Sequence, residues 1–140
     1  MTDTATTRTL VIEREMPHPP EKVWRALTQS SLMAEWLMTN DFQPVVGHRF
    51  TFRATPVAKW NGVIDCEVKA VEPHSRLSYS WGTLGMESLV TFTLTPTGNG
   101  THLRMEHSGF RPDQEANYKG ANYGWQKFIG NLQRVVERMD

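Results

Sequence analysis

Near neutral pH the side chains best able to pass a proton or attack a substrate are histidine and cysteine. This 140-residue chain has five of the first and one of the second. His107 is the most suggestive, because it alternates with Leu103 and Met105 and a strand there would turn all three to its apolar side. An inward histidine can hold a ligand, move a proton or satisfy a buried hydrogen bond. With Tyr118 or Arg14 it would form a minimal acid–base set for a small cyclase or hydrolase. His18 sits among prolines, His48 follows Gly47, His74 follows Pro73, and His102 falls on the face opposite His107. No H-E-x-x-H spacing occurs and no neighbouring acid completes a ligand set, so no metal is expected.

Cys66 shares a strand face with Ile64 and Val68. It reads as a small buried hydrophobe, or as a nucleophile if a nearby base lowers its pKa. Being single, it allows neither an intrachain disulfide nor a multi-cysteine metal site. Ser30 and Ser31 read as helix starters, with no G-x-S-x-G elbow around them. Arg14 lies between apolar strand positions, where it could neutralise an anion, pair with Glu106 or Glu87, or keep its head in water. Asp65, Glu67 and Glu106 fall on outward faces, which disfavours a paired-carboxylate centre. The glycines of Gly82-Thr83-Leu84-Gly85 and Gly98-Asn99-Gly100 lack the lysine and following helix of a phosphate loop. No catalytic residue and no cofactor is assigned.

Soft and aromatic side chains offer a different chemistry. Trp60, Trp81 and Trp125, with Met86, Met105 and Tyr118, could line a hollow for an irregular apolar guest. Cys66 and His107 would join that lining, and Tyr118 and Asn122, one helical turn apart, could supply polar contacts at its mouth. The same large residues could equally fill a solid core.

Those residues need elements to position them. Tyr118, Ala121, Trp125, Phe128, Leu132, Val136 and Met139 recur at steps of three and four, which predicts a long helix. Its first half carries Gly120 and Gly124, costly inside a helix; they signal close contact with a sheet or space for a ligand. Strands are predicted over Arg8–Met16, Phe50–Phe52, Ile64–Ala70, Leu77–Trp81, Met86–Leu94 and Leu103–His107, with Gly109 as a strand breaker. Pro20 opens a first short helix and Ser30 or Ser31 a second. Pro96-Thr97-Gly98-Asn99-Gly100 reads as a hairpin connection. The order is strand, two short helices, about five strands and a long helix, with a mostly antiparallel sheet.

Composition narrows the function classes. Lysine plus arginine equals aspartate plus glutamate, so no basic excess points to nucleic acid or an anionic membrane. No apolar run is long enough for a transmembrane helix, and Met1–Thr7 lacks the pattern of a secretion signal. The expectation is a flexible terminus over residues 1–7 followed by one domain over 8–140, in a reducing cytoplasm. Val11 or Leu89 on an outer sheet face could contribute to a homodimer.

Taken in order, a set of fragments resembles one family. They are Pro20-Glu21-Lys22-Val23-Trp24-Arg25-Ala26-Leu27-Thr28, Glu35-Trp36, Gly62-Val63, Val71-Glu72-Pro73 and Leu77-Ser78-Tyr79-Ser80-Trp81. Val90-Thr91-Phe92, Thr101-His102-Leu103, His107-Ser108-Gly109-Phe110 and Gly124-Trp125 follow. Over roughly Thr9 to Met139 they look like the Hsp90-ATPase-activator-homologue-like branch of the START/Bet v 1-like (SRPBCC) superfamily. The resemblance implies an α+β helix-grip fold: a curved antiparallel sheet wrapped around a long C-terminal helix, with two short helices after the first strand. It also implies a small hydrophobic or amphipathic guest between sheet and helix. Cyclases, transport proteins and co-chaperones share the superfamily, so an enzyme or a chaperone-binding domain are the alternatives.

Overall fold

A computed structural model describes residues 8–56, 60–83 and 85–139 of the chain. The expected loose terminus, residues 1–7, lies outside the described residues. So do Leu84, within an expected turn, and Asp140. The elements are β1 (Arg8–Met16), α1 (Pro20–Thr28), α2 (Ser30–Trp36), β2 (Thr39–Asn40), β3 (Arg49–Arg53), β4 (Val63–Glu72), β5 (Arg76–Thr83), β6 (Met86–Thr97), β7 (Gly100–Phe110) and α3 (Glu115–Arg138). All strands join one antiparallel sheet in the order β1-β7-β6-β5-β4-β3-β2. The sheet curls around α3, the helix-grip arrangement.

The expected elements all form, and one more appears. The two-residue β2 pairs Thr39 with Arg53 and Asn40 with Phe52. It is too short for an alternation to reveal, and Asn40 holds it by accepting the Phe42 N–H through its side chain. Pro20 opens α1, where its missing N–H costs nothing. Ser30 opens α2 but does not cap it; its hydroxyl donates to the Asn40 carbonyl at 3.0 Å. Along α3 the stripe extends to Ile129 and Val135, both buried with Trp125, Leu132 and Val136. A stripe that wide packs against two neighbours, here the sheet and the α1–α2 pair.

Gly109 does not end β7. The β1–β7 register slips by one residue there, since Arg8 faces Phe110 while Thr9 faces Ser108. Gly109 is the extra residue of a β-bulge, at φ 103°, a conformation that favours glycine. The bulge resets the alternation, so His107 and Phe110 both face inward, with ring centroids 4.6 Å apart. A Cβ at Gly109 would also lie 3.3 Å from the Ser88 Cα. Gly109→Ala is therefore expected to lower stability by about 2 kcal/mol, readable from the urea midpoint at unchanged m-value. A shift of a few tenths would show that the bulge tolerates a side chain.

On the outer face of β1 and β7, His102 lies between two carboxylates. Its Nε2 is 2.8 Å from Glu13 and its Nδ1 bonds Glu15. The hydrogen bonds to Glu15 and then Glu13 raise the imidazole above its ordinary pKa, and the bond to His102 lowers Glu13. A raised folded pKa stabilises below the unfolded value, and that stabilisation is lost as pH rises through the folded value. A small gain in stability toward pH 6 is expected from His102, absent in His102→Gln. The site is exposed, so the effect is screened by salt.

Candidate functional site

A cavity of about 330 Å³ opens where the first half of α3 stands away from the sheet. Its sheet wall is Ile64 of β4, Trp81 and Thr83 of β5, Met86 of β6 and His107 of β7. Its helix wall is Ala116, Gly120, Gly124 and Phe128, each one turn beyond the last and so on one face. Asn117, Ala121 and Trp125 flank that row, while Met38 and Trp60 close the side.

The gap follows from side-chain size along α3. A Cβ placed on Gly120 would meet nothing within 4 Å, and one on Gly124 only the Phe128 ring at 3.7 Å. Neither glycine is there because a neighbour crowds it. Each forgoes about 1 kcal/mol of helix stability relative to alanine, and the space it leaves stays open. Further along, Ile129, Leu132, Val135 and Val136 replace these small residues and the core is filled.

His107, Trp125, Trp60 and Thr83 at the cavity have their side-chain polar groups already paired. Trp125 Nε1–H donates to His107 Nδ1 at 3.0 Å. An indole nitrogen only donates, so Nδ1 is the bare nitrogen and Nε2 carries the proton. Nε2–H faces the Ser88 hydroxyl at 2.7 Å, and that hydroxyl donates to the Trp81 carbonyl at 2.9 Å. The ring is 1% exposed, and burial lowers its pKa to about 4. A Ser–His pair is thus present but in the wrong tautomer for a general base. In a catalytic triad a carboxylate accepts a hydrogen bond from Nδ1–H, which keeps Nε2 bare and free to take a proton from serine. Here an indole donor stands in that place, and Nε2 has no lone pair to offer Ser88. Across the cavity, Trp60 Nε1–H donates to Thr83 Oγ1 at 2.8 Å, and that hydroxyl donates to the Val63 carbonyl at 3.2 Å.

Five of the expected lining residues meet at this cavity: Trp60, Trp81, Met86, His107 and Trp125. The other four lie off its wall. Cys66 pairs in register with Phe50 and borders a separate surface cleft with Asp41 and Arg49. Burial, then Asp65, Glu87 and Asp41, push its thiol well above the ordinary range, which removes the nucleophilic thiolate. Met105 is wholly buried between Ile12 and Phe92 in the register of β1, β7 and β6. Tyr118 packs edge-on against Phe110, with the Arg8 guanidinium 3.8 Å above its ring. Asn122 is exposed and accepts from Gln126 at 3.4 Å. Arg14 pairs with neither Glu106 nor Glu87; it donates to Gln126 Oε1 at 2.7 Å, tying β1 to α3.

Sequence reasoning missed Met38, Ile64, Thr83, Ala116, Asn117, Ala121 and Phe128. Ile64 lies on the same alternating face as Cys66 and was within reach. The four-residue row through Gly120 also pointed to Ala116 and Phe128. Met38 sits in an unpatterned connection and carried no signal. Among the described residues no three His, Cys, Asp or Glu side chains converge on a point where a metal could sit.

The family described as Activator of Hsp90 ATPase homolog 1-like protein matches residues 17–137, most of the chain. The chain belongs to that family. A crystal structure of protein MLL2253 from Mesorhizobium loti is 56% identical, with a TM-score of 0.89 over 95% of this chain and 99% of that one. The solution structure of protein BH1534 from Bacillus halodurans is 29% identical, with a TM-score of 0.77 over 92% and 96%. DynU16, described as a protein in the dynemicin biosynthetic locus, is 27% identical, with a TM-score of 0.80; the match covers 93% of this chain and 47% of DynU16. No curated protein matches. In this Activator of Hsp90 ATPase homolog 1-like chain, the matched segment contains every residue of the cavity wall. No helix among the described residues is long and apolar enough to cross a membrane.

Proposed function

We propose that the chain binds a small apolar or amphipathic molecule, without catalysing its conversion, in the cavity between the sheet and the first half of α3. The observation that carries this reading is the cavity of about 330 Å³ that Gly120, exposed at its mouth, and the half-buried Gly124 line opposite a tryptophan-rich wall. A helix that only had to be buried would gain about 2 kcal/mol from alanines at the two positions. The cavity volume falls within the range of small-molecule sites. An acid–base role for His107 is disfavoured because both ring nitrogens are committed and the tautomer is set by an indole donor.

Native mass spectrometry of gently purified protein, followed by titration with the uncharged dye N-phenyl-1-naphthylamine, tests the reading. A co-purified mass or saturable 1:1 dye binding is expected. Absence of both would overturn it. A chaperone partner has the family's description behind it and is tested by the chain's effect on chaperone ATP turnover. A homodimer would use Val11 and Leu89, which stand about two-fifths exposed on the outer sheet face; sedimentation velocity over a concentration series tests it.

A further inference from the structure

Resting on the cavity reading above, we infer that the guest is an uncharged aromatic molecule of about two fused rings, and that carboxylates, fatty acids among them, are excluded. Size comes first. A cavity of about 150 Å³ accepts one benzene ring, and this one measures about 330 Å³. The shape of the wall comes next. Trp81 and Trp125 stand 5.2 Å apart at 47°, and Phe128 meets Trp125 edge-on at 5.8 Å. Tilted and edge-on rings present both faces and edges, which a flat π-system can satisfy by stacking and by T-shaped contact. A flexible alkyl chain gains neither and loses rotamer freedom on entry.

Charge decides the rest. No Lys, Arg, Asp or Glu lies on the cavity wall. The nearby guanidinium of Arg14 is taken by Gln126 and the Glu13 carbonyl, and that of Arg8 by Glu115 and the Tyr118 ring. His107 supplies no cation. A proton on Nδ1 would set one N–H against the N–H of Trp125 in a site with no compensating carboxylate. A cleft that shares Thr83 and Met86 with the cavity carries Asp65 and Glu87, so an anion protruding from that side of the mouth would meet like charge. Two polar offers remain: the indole N–H of Trp81, which makes no hydrogen bond among the described residues, and Asn117. Asn117 lies on the wall, half-buried, and its amide makes no hydrogen bond among the described residues. An amide gives one acceptor and two donors, which suits a hydroxyl or carbonyl on the guest.

The test uses the full chain at pH 7 and four probes: 2-naphthol, 2-naphthoate, 1-decanol and naphthalene. Affinity is read by calorimetry and location by the indole N–H signals of Trp60 and Trp125. Naphthol is expected to bind and shift both signals, with naphthoate weaker by at least about 30-fold. Asn117→Ala is expected to weaken naphthol about fivefold while leaving naphthalene unchanged. Equal affinity for naphthol and naphthoate, with the same signals moved, would overturn charge exclusion and leave the cavity reading intact. Tighter binding of decanol than naphthol would overturn the aromatic assignment. If neither naphthol nor decanol binds, the cavity reading itself falls.

Discussion

Lowering the pH from 7 to 4 is expected to cost the fold about 3 kcal/mol through His107 alone. Burial holds its folded pKa near 4 against an ordinary 6.5. The unfolded chain therefore takes up a proton below about pH 6.5, while the folded chain refuses it down to about pH 4. Over that window stability falls by about 1.4 kcal/mol per pH unit, and it levels off once both states are protonated. The neighbours explain the refusal. Trp81, Phe110 and Trp125 surround the ring, Trp125 N–H occupies Nδ1, and the Ser88 hydroxyl is committed to the Trp81 carbonyl. His102 acts with the opposite sign on the outer face, so the raw pH curve mixes the two. Urea midpoints of wild type and His107→Gln at pH 7, 5.5 and 4 separate them, because glutamine cannot titrate. The wild-type loss should exceed that of the variant by about 3 kcal/mol. Equal slopes would mean that native His107 takes up its proton as readily as the unfolded chain does, so that burial does not hold the ring neutral. A ring that is the neutral Nε2–H form by nitrogen NMR at pH 6 would support the tautomer assignment independently.

Period-two alternation told which face most strand residues would take, though not beyond the bulge between Val68 and Ala70, where Val71 rather than Ala70 pairs with the buried Leu77 and packs on the core. It placed His107, Met105, Cys66 and Met86 inward, and all four are buried. It could not tell how far along each strand the helix would stand off. That distance is set by side-chain size on α3: open beside Ala116, Gly120 and Gly124, closed beside Ile129 and Leu132. His107 and Met86 fall at the open end, whereas Cys66 and Met105 fall where the core is filled. Gly109 was misread for a related reason. A glycine three residues ahead of Pro112 looks like the end of a strand, but Phe110 needed a core position. The bulge supplies it, at the cost of one unpaired residue. The His107–Trp125 bond had no signal at all. It joins residues 18 apart in sequence, on β7 and α3, through side-chain directions that only the packed fold determines.

Replacing Gly120 by leucine is expected to weaken an aromatic guest by about 100-fold while leaving the fold at least as stable as wild type. Ordinarily a larger side chain put into a packed interior costs about 1–3 kcal/mol in strain. Gly120 differs because an added Cβ would meet nothing within 4 Å. Leucine also restores the helix propensity that glycine gives up, worth up to about 1 kcal/mol. In a helix its side chain leans toward the preceding turn, so it would cover Ala116 and Asn117 at the cavity mouth. Four added carbons, at a volume on the order of 30 Å³ each, would occupy about a third of the space. A two-ring guest would no longer fit. Gly120→Ala separates the effects: it should give most of the stability gain and obstruct little. Thermal midpoints and N-phenyl-1-naphthylamine titrations on wild type, Gly120→Ala and Gly120→Leu provide the measurement. A Gly120→Leu protein that still binds the dye at wild-type affinity would place the dye elsewhere. One that loses several kcal/mol of stability would show that the space beside Gly120 is closed in solution, and the two glycines would then be ordinary tolerated costs of a buried helix.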